Sequence, residues 1–255
     1  MNVEYDIDGK IAIISINRPE RRNAVDKSTA TDLYNAFLKF DNDNSLSAAI
    51  LTGKGGHFCA GADLSALSNG EPNTVNKDGL MAPMGPSRLR LSKPVIAAVE
   101  GYAVAGGLEL ALWTDLRVAS ASSMFGVFCR RFGVPLIDLG TIRLPRLIGQ
   151  SRAADMILTG REVGAQEALE FGLVNRLVDD GKALESALEL TNQIVAFPQT
   201  CLRNDRLSML EQWDLSEREA IMNEISHGLQ TINSGETLHG ASAFKEGKGR
   251  HGTFK

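Results

Sequence analysis

The sequence predicts an α/β fold, and three observations carry the prediction. Short β-branched, apolar runs bounded by turn residues recur along the first three quarters of the chain. Between them lie segments whose apolar residues return every three or four positions. Two glycine-dense turns follow strand-like runs. Runs of the first kind suit buried strands, segments of the second suit amphipathic helices, and their alternation is the mark of an α/β architecture.

The elements follow in order. "IAIISIN", "AAILTG", "VIAAVEG", "LRVAS" and "LVNRLV" read as strands. From Ser28 to Phe40, the residues Leu33, Ala36, Phe37 and Phe40 share one helical face. Ser151 is expected to cap "RAADMIL", and Gly172 to end "AQEALEF". The segment Ser68 to Ser87, rich in Gly, Pro and Asn, reads as a mobile loop beside the site built by the preceding turn. After Gly181 a helix-rich tail begins with "KALESALELTNQIVAF". The expected organisation is a core over residues 1–190 and a helical C-terminal region over 191–255, whose Leu207, Leu210, Trp213, Leu215, Ile221 and Ile225 pack against the core or another subunit.

Length and composition bound the function. The 255 residues are 43% hydrophobic, enough for a sizeable core, and a net charge of -4 offers no grip on nucleic acid. Cys59, Cys129 and Cys201 are widely spaced, without a CxxC pair, so neither a metal site nor a disulfide framework is expected. The N-terminal apolar run, Ile11 to Ile16, is too short for a membrane span and reads as a strand of a cytoplasmic protein.

The chemistry is expected at the two glycine turns, "GKGGHFCAGADL" (Gly53 to Leu64) and "VEGYAVAGGLELAL" (Val99 to Leu112). Glycine where strand meets helix lets a ligand approach bare backbone, and N–H groups of a first helical turn favour negative charge. Two such turns can bring two amides to one oxygen, and Glu109, three residues after Gly106, shares a helical face with that amide. An oxyanion site with an adjacent base can move a proton next to a polarised carbonyl. The plainer alternative is two ordinary turns and an acid at a helix dipole. Neither cluster continues into GK[ST], and no GxGxxG follows a strand, which disfavours those two nucleotide cradles.

Four motifs in register, "INRPERRNAV", "HFCAGADL", "KPVIAAVEGYAVAGGLELAL" and "LTGREVGAQEALEFGLVNRLV", make nearly the whole chain resemble the crotonase (enoyl-CoA hydratase/isomerase) superfamily. The resemblance implies a crotonase-like spiral of ββα units and a C-terminal helical trimerisation region, giving a homotrimer or a dimer of trimers. It implies an acyl-CoA thioester as ligand, with coenzyme A entering as part of the substrate and no separate cofactor or metal. By motif, Ala62 and Gly106 supply the oxyanion-hole amides and Glu109 is the first catalytic acid. The second hydratase glutamate lies in an "FGxPE" segment that here reads Phe125-Gly126-Val127-Phe128-Cys129, so Cys129 stands at the missing acid's position. Cys129 is either activated by Arg130 or Arg131 or is a small buried side chain. Asp138, in "DLGTIRLP", resembles an acid of the dienoyl-CoA isomerases; its other reading is a turn or helix N-cap. For the CoA, the resemblance points to Arg21, Arg22, Ala60, Gly61, Asp63 and Leu64, and to Lys248 or Lys255 of the tail. The implied activity is reversible hydration of a 2-enoyl-CoA. Isomerisation or decarboxylation with Glu109 and Asp138 is an alternative, as is a CoA-binding scaffold without catalysis.

Overall fold

The structure is a computed structural model and describes residues 2–249. By internal packing the chain divides into two compact units, with the division between Ile194 and Val195.

The first unit opens with strands β1 (Val3–Asp8) and β2 (Ile11–Ile16), joined by a tight turn, followed by helix α1 (Lys27–Asn42) and strand β3 (Ala48–Gly53). Helix α1 starts one residue earlier than the periodicity suggests, because the Asp26 side chain accepts from Thr29 N–H at 2.8 Å and caps it. Its Leu33, Phe37 and Phe40 face the core. The short helix α2 (Leu64–Ser68) is followed by a long irregular stretch leading to β4 (Val95–Val99), β5 (Tyr102–Val104) and helix α3 (Gly106–Trp113). Then come β6 (Leu116–Ser120), β7 (Met124–Gly126), α4 (Gly140–Ile148), α5 (Gln150–Thr159), β8 (Val163–Gly164), α6 (Ala165–Phe171), β9 (Arg176–Val178) and α7 (Ala183–Ala196), whose last two residues fall past the division.

Six strands form one sheet in the order β1-β2-β3-β4-β6-β9, antiparallel at the first pair and parallel thereafter. Every residue of β4, and every residue of β3 except Gly53, is buried. A parallel sheet covered on both faces requires such uninterrupted apolar runs. The strands β5, β7 and β8 form a second sheet in the order β5-β7-β8, and the strand–strand–helix succession β4-β5-α3 passes the chain from the first sheet to the second.

Two expectations are corrected. Ser151 does not cap α5: the helix begins at Gln150, and the cap position is Gly149 with no side-chain bond. The Ser68 to Ser87 segment is not free along its length. Residues Ala82 to Ser87 are buried, and Ala82 and Gly85 exchange both backbone hydrogen bonds, at 3.0 and 2.8 Å.

The second unit contains α8 (Gln199–Glu211), α9 (Glu217–Asn233) and α10 (Glu236–Lys245). Helix α9 begins with a complete capping box between Ser216 and Glu219. Trp213, Ile221 and Ile225, expected to pack inward or against another subunit, are 53%, 53% and 49% exposed.

Candidate active site

The two glycine turns meet. After β3 the chain runs parallel to β5: Phe58 N–H donates to the Glu100 carbonyl, Cys59 N–H to Tyr102, and Val104 N–H to Cys59, at 2.8, 2.8 and 3.1 Å. This pairing lays Gly61-Ala62 against Ala105-Gly106. A Cβ on Gly61 would lie 3.0 Å from the Gly106 nitrogen, and one on Gly107 would lie 2.0 Å from the Cys59 carbonyl oxygen, so both glycines are needed for the approach. On the other side, Val25 N–H donates to Gly61 and Asp63 N–H to Val25, at 2.8 and 3.0 Å. Neither Ala62 N–H nor Gly106 N–H donates to a backbone carbonyl among the described residues. Gly106 is the first residue of α3, where an N–H has no partner within the helix. Ala105, just before it, holds φ +53° without being glycine, strain of on the order of 1–3 kcal/mol.

Glu109 stands one turn into α3 and is 2% exposed. Its Oε1 accepts from Asp138 N–H at 2.9 Å and Gly140 N–H at 2.8 Å, and Oε2 has no hydrogen bond among the described residues. The clasp depends on local backbone. Leu139, between the two donors, holds φ +71°, turning both N–H groups to one side, and a Cβ on Gly140 would come within 2.8 Å of Oε1. Burial, followed by the nearby Asp138 charge, raises the Glu109 pKa to about 7, although the two N–H bonds and Arg143 pull it down. A carboxyl balanced between its two protonation states at neutral pH suits proton transfer in either direction.

Asp138 is also 2% exposed. Its side chain does not cap α4, since the cap residue is Leu139. Instead, Asp138 Oδ1 accepts from Met84 N–H at 3.0 Å and from the Ser87 hydroxyl at 2.5 Å. It thereby ties the Ala82 to Ser87 segment to the start of α4. Burial raises its pKa too, against the lowering effect of Ser87, Met84, Arg88 and Arg143. Arg143 fixes the same junction by donating to the Ser87 carbonyl at 2.7 Å.

Ala62, Gly106, Glu109, Cys129 and Asp138 all line one cavity of about 440 Å³. Cys129 belongs to a 3-10 turn, Phe128–Phe132, and is buried. Burial, then the Glu109 charge, raises its thiol pKa, outweighing the opposite pull of Arg130. This direction fits the small buried side chain rather than a thiol activated by the arginines. Arg130 donates to the Ile157 carbonyl, and Arg131 to that of Gly160 while lying over the Phe128 ring.

Of the residues expected near CoA, Ala60, Asp63 and Leu64 line the cavity. Asp63 carries structural bonds: it caps α2 through Ser65 N–H at 3.0 Å and pairs with Arg18 at 2.9 Å. Arg21 is exposed, with Nη1 3.4 Å from the Ser65 hydroxyl, and Arg22 lies over the Tyr102 ring at 5.3 Å. Lys248 is an exposed residue of the second unit, and Lys255 lies outside the described residues. Met84, Ser87, Leu139, Gly140 and Arg143 escaped the sequence reading. The glycine of "DLGT" was the available signal for the clasp, whereas nothing local marks Met84 or Ser87 as partners of an aspartate more than 50 residues away.

A fold of this kind, with a near-neutral buried carboxyl in a mainly apolar cavity, defines the class: an α/β enzyme. The family model described as enoyl-CoA hydratase/isomerase matches residues 6–252, and the chain belongs to that family. It is 38% identical to enoyl-CoA hydratase EchA19 of Mycobacterium tuberculosis over 93% of this chain and 91% of that one. It is 39% identical to the short-chain-enoyl-CoA hydratase of Clostridium acetobutylicum, over 76% of each chain. The crystal structure of enoyl-CoA hydratase EchA1 from Mycobacterium marinum superposes with a TM-score of 0.90 at 37% identity, covering 96% of both chains. The fold is thus the crotonase fold.

Proposed function

We propose that the protein catalyses reversible hydration of a 2-enoyl-CoA, with Glu109 as the single working carboxyl. The observation that carries this reading is the division of labour between the Glu109 oxygens: Oε1 is held by two backbone amides, while Oε2 has no hydrogen bond among the described residues, and Ala62 and Gly106, with their unused amides, line the same cavity. In this reading the thioester oxygen sits between those amides, where the developing enolate is stabilised by about 3 kcal/mol per donor. Oε2 takes a proton from water as its oxygen bonds to the β-carbon. The same proton is returned to the α-carbon, so the elements of one water add across the double bond and Glu109 ends as it began. A neutral Cys129 beside the site can pack against the substrate without competing for that proton. The relatives named hydratases support the same reaction class.

A second reading, double-bond isomerisation, is favoured by Asp138, whose Oδ2 carries no hydrogen bond among the described residues and which lines the same cavity. Loss of the 2-enoyl absorbance of crotonyl-CoA and of longer homologues, with product analysis, separates the two. Hydration that survives Asp138→Asn supports the first reading. Double-bond migration abolished by Asp138→Asn replaces it with the second. For assembly, we propose the homotrimer or dimer of trimers that the resemblance implies. Exposed Ile221, Ile225, Leu229 and Ile232 fall along one side of α9 and supply an apolar face for it, and sedimentation analysis measures the outcome.

A further inference from the structure

We infer that Asp138 is a positioning residue of this site: its carboxylate, acting through Met84, holds the Gly106 amide in register with the Glu109 carboxyl. The inference rests on the hydration reading above and deepens it, by giving the buried aspartate a task other than proton transfer.

A closed ring of contacts joins these residues. Asp138 N–H donates to Glu109 Oε1 at 2.9 Å. Glu109 lies in the first turn of α3, and its own N–H returns to the Ala105 carbonyl at 3.2 Å, so the helix backbone ties the acid to Gly106. A Cβ on Gly106 would lie 2.6 Å from the Met84 sulfur and 3.0 Å from its Cγ and Cε, so the thioether fills the space where a side chain would stand. Met84 N–H in turn donates to Asp138 Oδ1 at 3.0 Å, its one acceptor among the described residues. Residues 84 and 138 each enter the ring twice, once by the backbone and once by the side chain. The base and the oxyanion amide can then separate only if a link breaks.

The Asp138 carboxylate is the fastening of that ring. Its Oδ1 also accepts from the Ser87 hydroxyl at 2.5 Å, and Arg143 braces the junction by donating to the Ser87 carbonyl at 2.7 Å. Met84, Ser87 and Asp138 are all buried. A carboxylate gripped by two donors away from water is stronger and better directed than a packing contact. The turn is supported from behind as well, since a Cβ on Gly85 would lie 2.4 Å from the Ala30 carbonyl oxygen of α1. Helix α1 thus blocks retreat of the turn, and Asp138 fixes where Met84 rests on Gly106. Without the carboxylate, Met84 N–H and the Ser87 hydroxyl would be buried donors lacking their acceptor, and the turn would shift to find another, carrying the thioether with it.

The test compares variants on the high-pH plateau of hydration, where Glu109 is ionised in each of them. Asp138→Ala is expected to lower kcat about 10- to 100-fold with KM changed little, as a misplacement approaching 1 Å would. Asp138→Asn loses the same charge but keeps an acceptor for Met84 and Ser87, and is expected to recover most of that loss. Ser87→Ala should lower kcat less than Asp138→Ala does, and add nothing in its background. An unreactive probe reads the amide directly: the carbonyl stretch of bound butyryl-CoA, isotopically labelled at the thioester, moves to lower frequency when the oxyanion amides donate to it. Asp138→Ala and Met84→Ala should each return the band toward its position in water, and Asp138→Asn should not. A band and a plateau kcat both unchanged by Asp138→Ala overturn the inference and leave hydration intact. Asp138→Asn as impaired as Asp138→Ala also overturns it, because the carboxyl itself is then the working group. If Asp138→Ala does not fold, the bands of Ser87→Ala and Met84→Ala decide: a return toward water sustains the ring, and bands at the wild-type position overturn it. A wild type that binds the probe but turns over no 2-enoyl-CoA overturns hydration, and the same bands then sustain or overturn the ring without it.

Discussion

At the scale of residues, the site turns on how one carboxyl is held. Glu109 is buried, shares its surroundings with Asp138 and has one oxygen without a hydrogen bond among the described residues, and each fact has a measurable consequence. Glu109→Gln keeps the shape and an acceptor for the two amides but cannot take a proton, so kcat on a 2-enoyl-CoA should fall by about 10²–10⁴ with KM changed little. The base must be ionised in the free enzyme. For the wild type, kcat/KM for hydration is therefore expected to rise with pH and level off above an apparent pKa near 7. Asp138→Asn removes a neighbouring negative charge that raises this pKa, so the whole profile should move toward lower pH. A profile that stays in place would show that Asp138 does not sense Glu109. The amide in this variant also keeps an oxygen that can accept from Met84 and Ser87.

At the scale of elements, the three-residue bend ahead of α4 does what no single side chain could. It presents Asp138 N–H and Gly140 N–H to Glu109 across a left-handed Leu139. Gly140→Ala would press a methyl group to within 2.8 Å of Oε1, and the acid must move to admit it. A displacement of about 1 Å costs on the order of 10² in rate. The expected result is a large fall in kcat, a modest change in KM and an unchanged circular dichroism spectrum. Much at this scale was legible: β2, β3, β4, β6 and α1 stand where apolar runs and helical spacing put them, because local pattern and burial agree there. The second sheet was not legible. Strands β5, β7 and β8 are two or three residues long, too short for a period to show. Asp138 looked like a possible cap because capping is local. Its true partners, Met84 and Ser87, are brought to it only by the tertiary fold.

At the scale of the whole molecule, the glycine turns and Glu109 were readable as a constellation, since strand-to-helix glycines and an acid three residues on carry their geometry with them. That the two turns lie against each other is a property of the assembled sheets and of the pairing of residues 58 and 59 with residues 100–104. The same assembly sets a balance between activity and stability. The Glu109 pKa rises on folding from an ordinary 4.5 to about 7, so the buried acid favours the folded state fully below pH 4.5 and loses that contribution as pH climbs through 7. Above pH 7 the loss is on the order of 3 kcal/mol. In urea unfolding, Glu109→Gln should therefore match the wild type near pH 4.5 and exceed it by about 1–3 kcal/mol at pH 8, at the expense of turnover. The clasp of Glu109 by residues 138 and 140 also gives the protein an internal indicator. Each of those amide protons points at the titrating oxygen, so in a nuclear magnetic resonance titration their chemical shifts should track the charge on the acid. The ionisation can then be followed from the backbone, without substrate, label or substitution.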